Sequence, residues 1–188
     1  MQVNWPEFMQ RILPYTDIFV PSLEEALLTM DPLKYAEIGL SVAKGELTDH
    51  IPVSMIRELG RKIIDSGVKI LLIKAGNRGA YLLSGDPITL QGRGNLDLSH
   101  GRWNNVELWC DAYKADPLKV RNTSGAGDTA AAAFLSALLN GEAPEESVKF
   151  ACMAGRDSLY CTDIYEDLRN WVEMKKEIAL NLVEIEKY

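Results

Sequence analysis

The chain has 188 residues, 47% of them hydrophobic, and a formal net charge of −7. That is enough apolar material for a buried core, so a disordered chain is excluded. The negative charge argues against a general nucleic-acid or anionic-membrane surface. Three cysteines without a CxxC spacing and only two histidines make a Cys/His zinc site a poor fit, so Cys110, Cys152 and Cys161 read as buried or half-buried free thiols of a reducing cytoplasm. No apolar run reaches the length of a membrane span and no signal peptide precedes the first helix.

Helical spacing of Trp5, Phe8, Met9, Ile12 and Leu13 predicts a first helix that Pro14 closes. Asp17 to Val20 fits a short buried strand. Ser22 then caps a helix with Glu25 three residues on, as in a capping box. Leu33 to Ala43 and Pro52 to Asp65 read as two more helices. Val68 to Lys74 is a β-rich run, followed by a Gly76–Gly79 turn and a strand from Ala80 to Leu83. Gln91 to Asn105 reads as a long surface insertion, with His100 and Trp103 facing solvent. Val106 to Ala112 is a further strand and Leu118 to Val120 a short extended piece. Helices are expected over Asp128–Asn140 and Pro144–Leu159, with one or two more between Asp163 and Lys187. Strands mixed with helices predict an α/β domain over residues 1–188, its sheet largely parallel and covered on both faces. Few strands serve many helices, and an exposed sheet edge would admit a homodimer.

The segment Arg121-Asn122-Thr123-Ser124-Gly125-Ala126-Gly127-Asp128-Thr129-Ala130 joins an extended stretch to a helix. Glycines let successive N–H groups converge, and a helix start adds unpaired donors and the positive end of a dipole. The stretch suits an anion, with Asp128 placed to take a hydroxyl proton during phosphoryl transfer. Taken alone it is equally a capped helix. No GxxxxGK[ST] occurs, so a P-loop NTPase is a poor fit. Arg93, Arg102, Lys114, Lys119 and Arg121 read as mostly a solvated surface, with Arg121 a secondary candidate near the phosphates.

Three stretches occur in one order: Pro21 to Glu25, Gly76 to Gly79, and Asn122 to Asp128. In that order they resemble the ribokinase-like (PfkB) family of carbohydrate kinases, from about Asp17 to Tyr160. The resemblance implies a ribokinase-like, Rossmann-like three-layer α/β/α sandwich, of which this chain would be the C-terminal half, without the N-terminal part and β lid. It implies ATP-dependent phosphorylation of an alcohol on a sugar-like molecule, or a nucleotide-binding fragment without catalysis. Asp128 would be the base, and Gly125, Ala126 and Gly127 the anion hole. Lys74, Gly76, Gly79, Asn122 and Thr123 would lie on the nucleotide, with Ala151, Ala154 and Ser158 on its adenine side. Glu25 would act through water on Mg²⁺, and some relatives also need a monovalent cation. Serine at position 22, where the family usually has asparagine, departs from the pattern.

Overall fold

The computed structural model describes residues 3–42, 44–93, 96–98 and 101–188. Ala43, the expected end of the third helix, and His100 lie outside the described residues. Helix α1 (Trp5–Ile12) runs into a 3-10 turn at Leu13–Tyr15, where Pro14 ends it. Strand β1 (Ile18–Phe19) follows. Ser22 Oγ then accepts from Glu25 N at 3.1 Å while Glu25 Oε2 accepts from Ser22 N at 2.7 Å, so the expected capping box starts α2 (Leu23–Met30). Helices α3 (Pro32–Ser41) and α4 (Val53–Asp65) complete the crossover to β2 (Ile70–Lys74).

A tight turn at Gly76–Arg78 returns the chain as β3 (Gly79–Ser84), and β4 (Glu107–Asp111) lies beside it. Then come α5 (Ala126–Leu139), α6 (Pro144–Ser158), the single turn α7 (Ile164–Asp167), α8 (Trp171–Leu180) and β5 (Ile185–Lys187).

The five strands form one sheet in the order β1-β2-β3-β4-β5. Only β1–β2 is parallel; the other three pairs are antiparallel, which corrects the expectation of a largely parallel sheet. For β1–β2 and β2–β3 the cause is connection length. A parallel neighbour needs a crossover, which α2, α3 and α4 supply, whereas the turn after Lys74 is too short for anything but a hairpin. Helices nevertheless cover both faces. Leu71, Ile73, Tyr81, Leu83 and Trp109 meet α1, α2 and α4 on one side. Ile70, Leu72, Ala80, Leu82, Leu108 and Cys110 meet α5 and α6 on the other. The result is the three-layer α/β/α sandwich. Strands buried on both faces carry uninterrupted apolar runs, which is why they look parallel in sequence.

Three further expectations give way. Leu118 and Lys119 lie in a turn and Val120 in no strand, because Asp116 Oδ1 accepts from Leu118 N at 3.0 Å and Asp116 O from Lys119 N at 3.0 Å. The last segment holds a strand as well as helices: β5 pairs with β4 and Ile185 lies against the core. Trp103 does not face solvent. It is 3% exposed and meets the Phe134 ring edge-on, and Leu90, Leu96 and Leu98 join it, so the described part of the presumed surface insertion covers the sheet.

Candidate nucleotide and phosphoryl-transfer site

The site begins where two chain reversals meet. Lys74 closes β2, and its backbone N donates to Pro21 O at 3.0 Å, which holds the start of α2 beside the strand end. Its side chain crosses to the start of α5, where Nζ donates to Gly127 O at 3.1 Å. Pro21 to Glu25, Lys74 and the glycine loop are thus neighbours in space.

The N-cap of α5 is Gly125, in the left-handed conformation at φ +79°, and it carries no side-chain acceptor. Asp128 is therefore not the cap; it sits at the third helical position and is exposed. Helices α2, α3 and α8 each have their first turn closed by a side chain, from Ser22, Asp31 and Asn170. At α5 the N–H groups of the first turn keep their donors for something else, apart from Ala126 N, which leans on Thr123 O at 3.5 Å. Asn122 shapes the loop, its Oδ1 accepting from Ser124 N at 2.9 Å. The small residues of α5 serve close helix contact: a Cβ on Gly155 of α6 would stand 3.4 Å from Ala130 Cβ and 3.5 Å from Ala126 O.

A cavity of about 480 Å³ opens from this point, within the ~300–1,000 Å³ common for small-molecule sites. Its polar end is formed by Ser22, Lys74, Thr123, Ala126 and Gly127. Gly76, Asn77 and Gly79 make one wall. Ala112, Ala115 and Ala151 make an apolar end, with Tyr113, Cys152 and Arg156 also in the lining, and Leu159 lines the side next to the loop, its carbonyl accepting from Asn122 N at 3.3 Å. A basic side chain and an open helix start at one end, with an apolar slot at the other, suit the phosphates and base of a nucleotide.

The expected site residues divide. Lys74, Gly76, Gly79, Thr123, Ala126, Gly127 and Ala151 line the cavity; Gly125 and Asp128 flank its polar end in the same turn. Ala154 does not line it. It is fully buried against Tyr113, Met153, Met174 and Ile178, under α8. Ser158 is also turned away, its hydroxyl donating to Gly155 O at 2.7 Å. Arg121 reaches Thr162 Oγ1 at 2.5 Å and not the phosphate end. Glu46, Tyr113 and Arg156 carried no signal in the sequence. Arg156 is held from behind by Asp157, which Arg169 also grips at 2.7 Å.

The electrostatics of the polar end follow from the same bonds. Glu25 is held below the usual carboxylate value, mainly by the backbone N–H of Ser22, with help from the Ser22 hydroxyl and the Lys74 charge and against partial burial. Cys152 is pushed up by its contact with the Cys110 thiol and by burial. Among the described residues no group of three or more His, Cys, Asp or Glu side chains is placed to hold a metal ion.

Solved structures share this fold. A protein from Clostridium perfringens assigned as a sugar kinase superposes with a TM-score of 0.65 at 16% identity, over 97% of this chain and 46% of its own. Arabidopsis thaliana ribokinase, complexed with ribose and ATP, gives 0.60 at 22% identity, over 89% and 42%. An E. coli protein assigned as ribokinase II, in complex with ATP and Mg²⁺, gives 0.60 at 16% identity, over 96% and 47%. The chain thus spans less than half the length of these structures. No curated protein matches it in sequence. The profile of the pfkB family of carbohydrate kinases matches residues 2–165, from before α1 into α7, and on that match the chain belongs to this family.

Proposed function

We propose that residues 1–188 form the nucleotide-binding and phosphoryl-transfer half of an ATP-dependent kinase that phosphorylates an alcohol group of a sugar-like molecule. The observation that carries this is the uncapped start of α5 at Gly125–Asp128, facing a nucleotide-sized cavity and crossed by Lys74. Bound ATP with Mg²⁺ would supply the phosphoryl group and neutralise its charge. Lys74, Thr123 and the first-turn N–H groups hold the phosphate end, and Ala112 and Ala151 shelter the base. Asp128 accepts the proton of the acceptor hydroxyl at its carboxylate while the new O–P bond forms and the bond to the leaving diphosphate breaks. The N–H groups of Gly125 and Gly127 receive the charge that develops on the transferred oxygens. Glu25, held ionised by Ser22 and Lys74, would orient water on a divalent ion bound to the phosphates.

In the enzyme that carries this chain, Asp128→Asn lowers kcat by about 10²–10⁴-fold and leaves ATP affinity within about twofold. Equal turnover of the two proteins refutes the role of Asp128.

A second reading is a nucleotide-binding unit without catalysis of its own, favoured by the chain's spanning under half of the solved sugar-kinase structures. Titration of the isolated chain with Mg·ATP, followed by a screen of sugars, separates the two: binding without transfer supports the second. Pairing of two copies along the free edge of β1 is tested by sedimentation.

A further inference from the structure

The connection between α3 and α4 has no part in the function just described, yet it is fastened to the cavity wall. Its short 3-10 stretch, Leu47–His50, lies over the Gly76–Gly79 turn. Arg78 of that turn donates through Nη1 to Thr48 O at 2.6 Å and Ile51 O at 2.5 Å, and its guanidinium lies 5.4 Å from the Trp109 ring centroid. Ile51 is buried, and Glu46 N donates to Asp49 Oδ2 at 3.3 Å. Of the described residues of this connection, the backbone held at these points presents Glu46 to the cavity. A Cβ built on Gly76 would stand 3.8 Å from Glu46 Oε2.

The place of this carboxylate along the cavity limits what it can meet. The phosphate end is at Lys74 and Gly127. The turn leads from there toward the apolar end, where Gly79 abuts Cys110 O and Ala112 N. Glu46 stands beside Gly76, two residues past Lys74 and three before Gly79. A carboxylate facing phosphate would be repelled, and one facing an adenine edge would find a donor only at the exocyclic amine. Two adjacent hydroxyls suit it, because its two oxygens accept both.

We infer that Glu46 is a specificity-determining residue whose carboxylate accepts the 2′ and 3′ hydroxyls of the nucleotide ribose, so that the site selects ribonucleotides over deoxyribonucleotides. The inference rests on the nucleotide-site reading above. It is tested by calorimetric titration of the 188-residue chain, wild type, Glu46→Ala and Glu46→Gln, with Mg·ATP, Mg·2′-deoxy-ATP and Mg·3′-deoxy-ATP. The wild type binds ATP about tenfold more tightly than either deoxynucleotide, as expected for a hydrogen bond to a charged group. Glu46→Ala reduces that ratio to about twofold or less by weakening ATP alone, and Glu46→Gln falls between. Glu46 is exposed, so a thermal melt of each variant coincident with the wild type verifies the fold. Undiminished discrimination by Glu46→Ala overturns the inference and leaves the nucleotide site intact. So does an equal loss for all three nucleotides, which would place Glu46 on the phosphates or their ion. No binding of any nucleotide to the wild type overturns both the inference and the site.

Discussion

The two glycines that bound the Gly76–Gly79 turn do different work, and single substitutions separate them. Gly79 has φ +117° and ψ −140°, a region essentially closed to other residues. A Cβ there would stand 2.0 Å from Cys110 O, 2.8 Å from Ala112 N and 2.9 Å from the Asp111 carbonyl carbon. All three are backbone atoms of β4 and the residue after it, so no side chain can swing aside. The backbone conformation costs about 1–3 kcal/mol, and forcing β3 from β4 costs about 1–3 kcal/mol more. Gly79→Ala should therefore destabilise by about 4 kcal/mol, lowering Tm by about 8–16 °C in a domain of this size. Gly76, at φ +58°, has only the Glu46 carboxylate near, at 3.8 Å. Gly76→Ala should cost about 1 kcal/mol, or about 2–4 °C. Thermal melts by circular dichroism, with urea midpoints at constant m as a check, measure both. A Gly79→Ala protein melting within about 2 °C of wild type, or as stable as Gly76→Ala, would refute the reasoning.

Trp103→Ala should cost about 3–5 kcal/mol, because the ring fills space against Phe134, whereas a solvent-facing tryptophan would cost under about 0.5 kcal/mol; urea unfolding decides. The acid limb of stability should depend on Glu107. Its carboxylate is held below the ordinary value of 4.5, mainly by the hydrogen bond from Arg57, with Tyr81 and Arg61 adding and burial opposing. A lowered folded-state value means that the contribution is complete above the unfolded pKa and is lost as pH falls through the folded one. Glu107→Gln should thus flatten the decline of Tm between about pH 5 and pH 3 while lowering Tm at neutral pH; an unchanged acid slope would count against the cluster.

Local chemistry was the legible part. Ser22 and Glu25 are three residues apart and cap α2 as such a pair should. The run Ile70–Lys74 with its glycine turn is a strand and hairpin. The glycines before Asp128 do start a helix, although the cap is Gly125 and the helix begins two residues earlier than expected. What depended on distant partners was not legible. Ala151 and Ala154 are alike in sequence, yet one faces the cavity and the other the α8 cluster, because that choice is set by a helix more than fifteen residues on. Strand β5 offers only one inward apolar side chain, Ile185, and owes its existence to the edge of β4. Glu46 reaches the cavity because Arg78, far along the chain, holds the backbone around it. The Gln91–Asn105 region reads as polar by composition, but its leucines and Trp103 are the residues that matter to the sheet.

The pairing of β5 with β4 also sets a timetable. Strand β4 leaves the ribosome well before β5, with α5 to α8 between them. At about 5–20 residues per second, the far edge of the sheet stays unpaired for several seconds of synthesis. During that interval Leu108 and Cys110 lie in an open edge strand, a template for unwanted strand pairing with neighbouring chains. Slowing translation over α7 and α8 should therefore raise the aggregated fraction of newly made protein, and Ile185 to Lys187 act as the seal that ends the exposure.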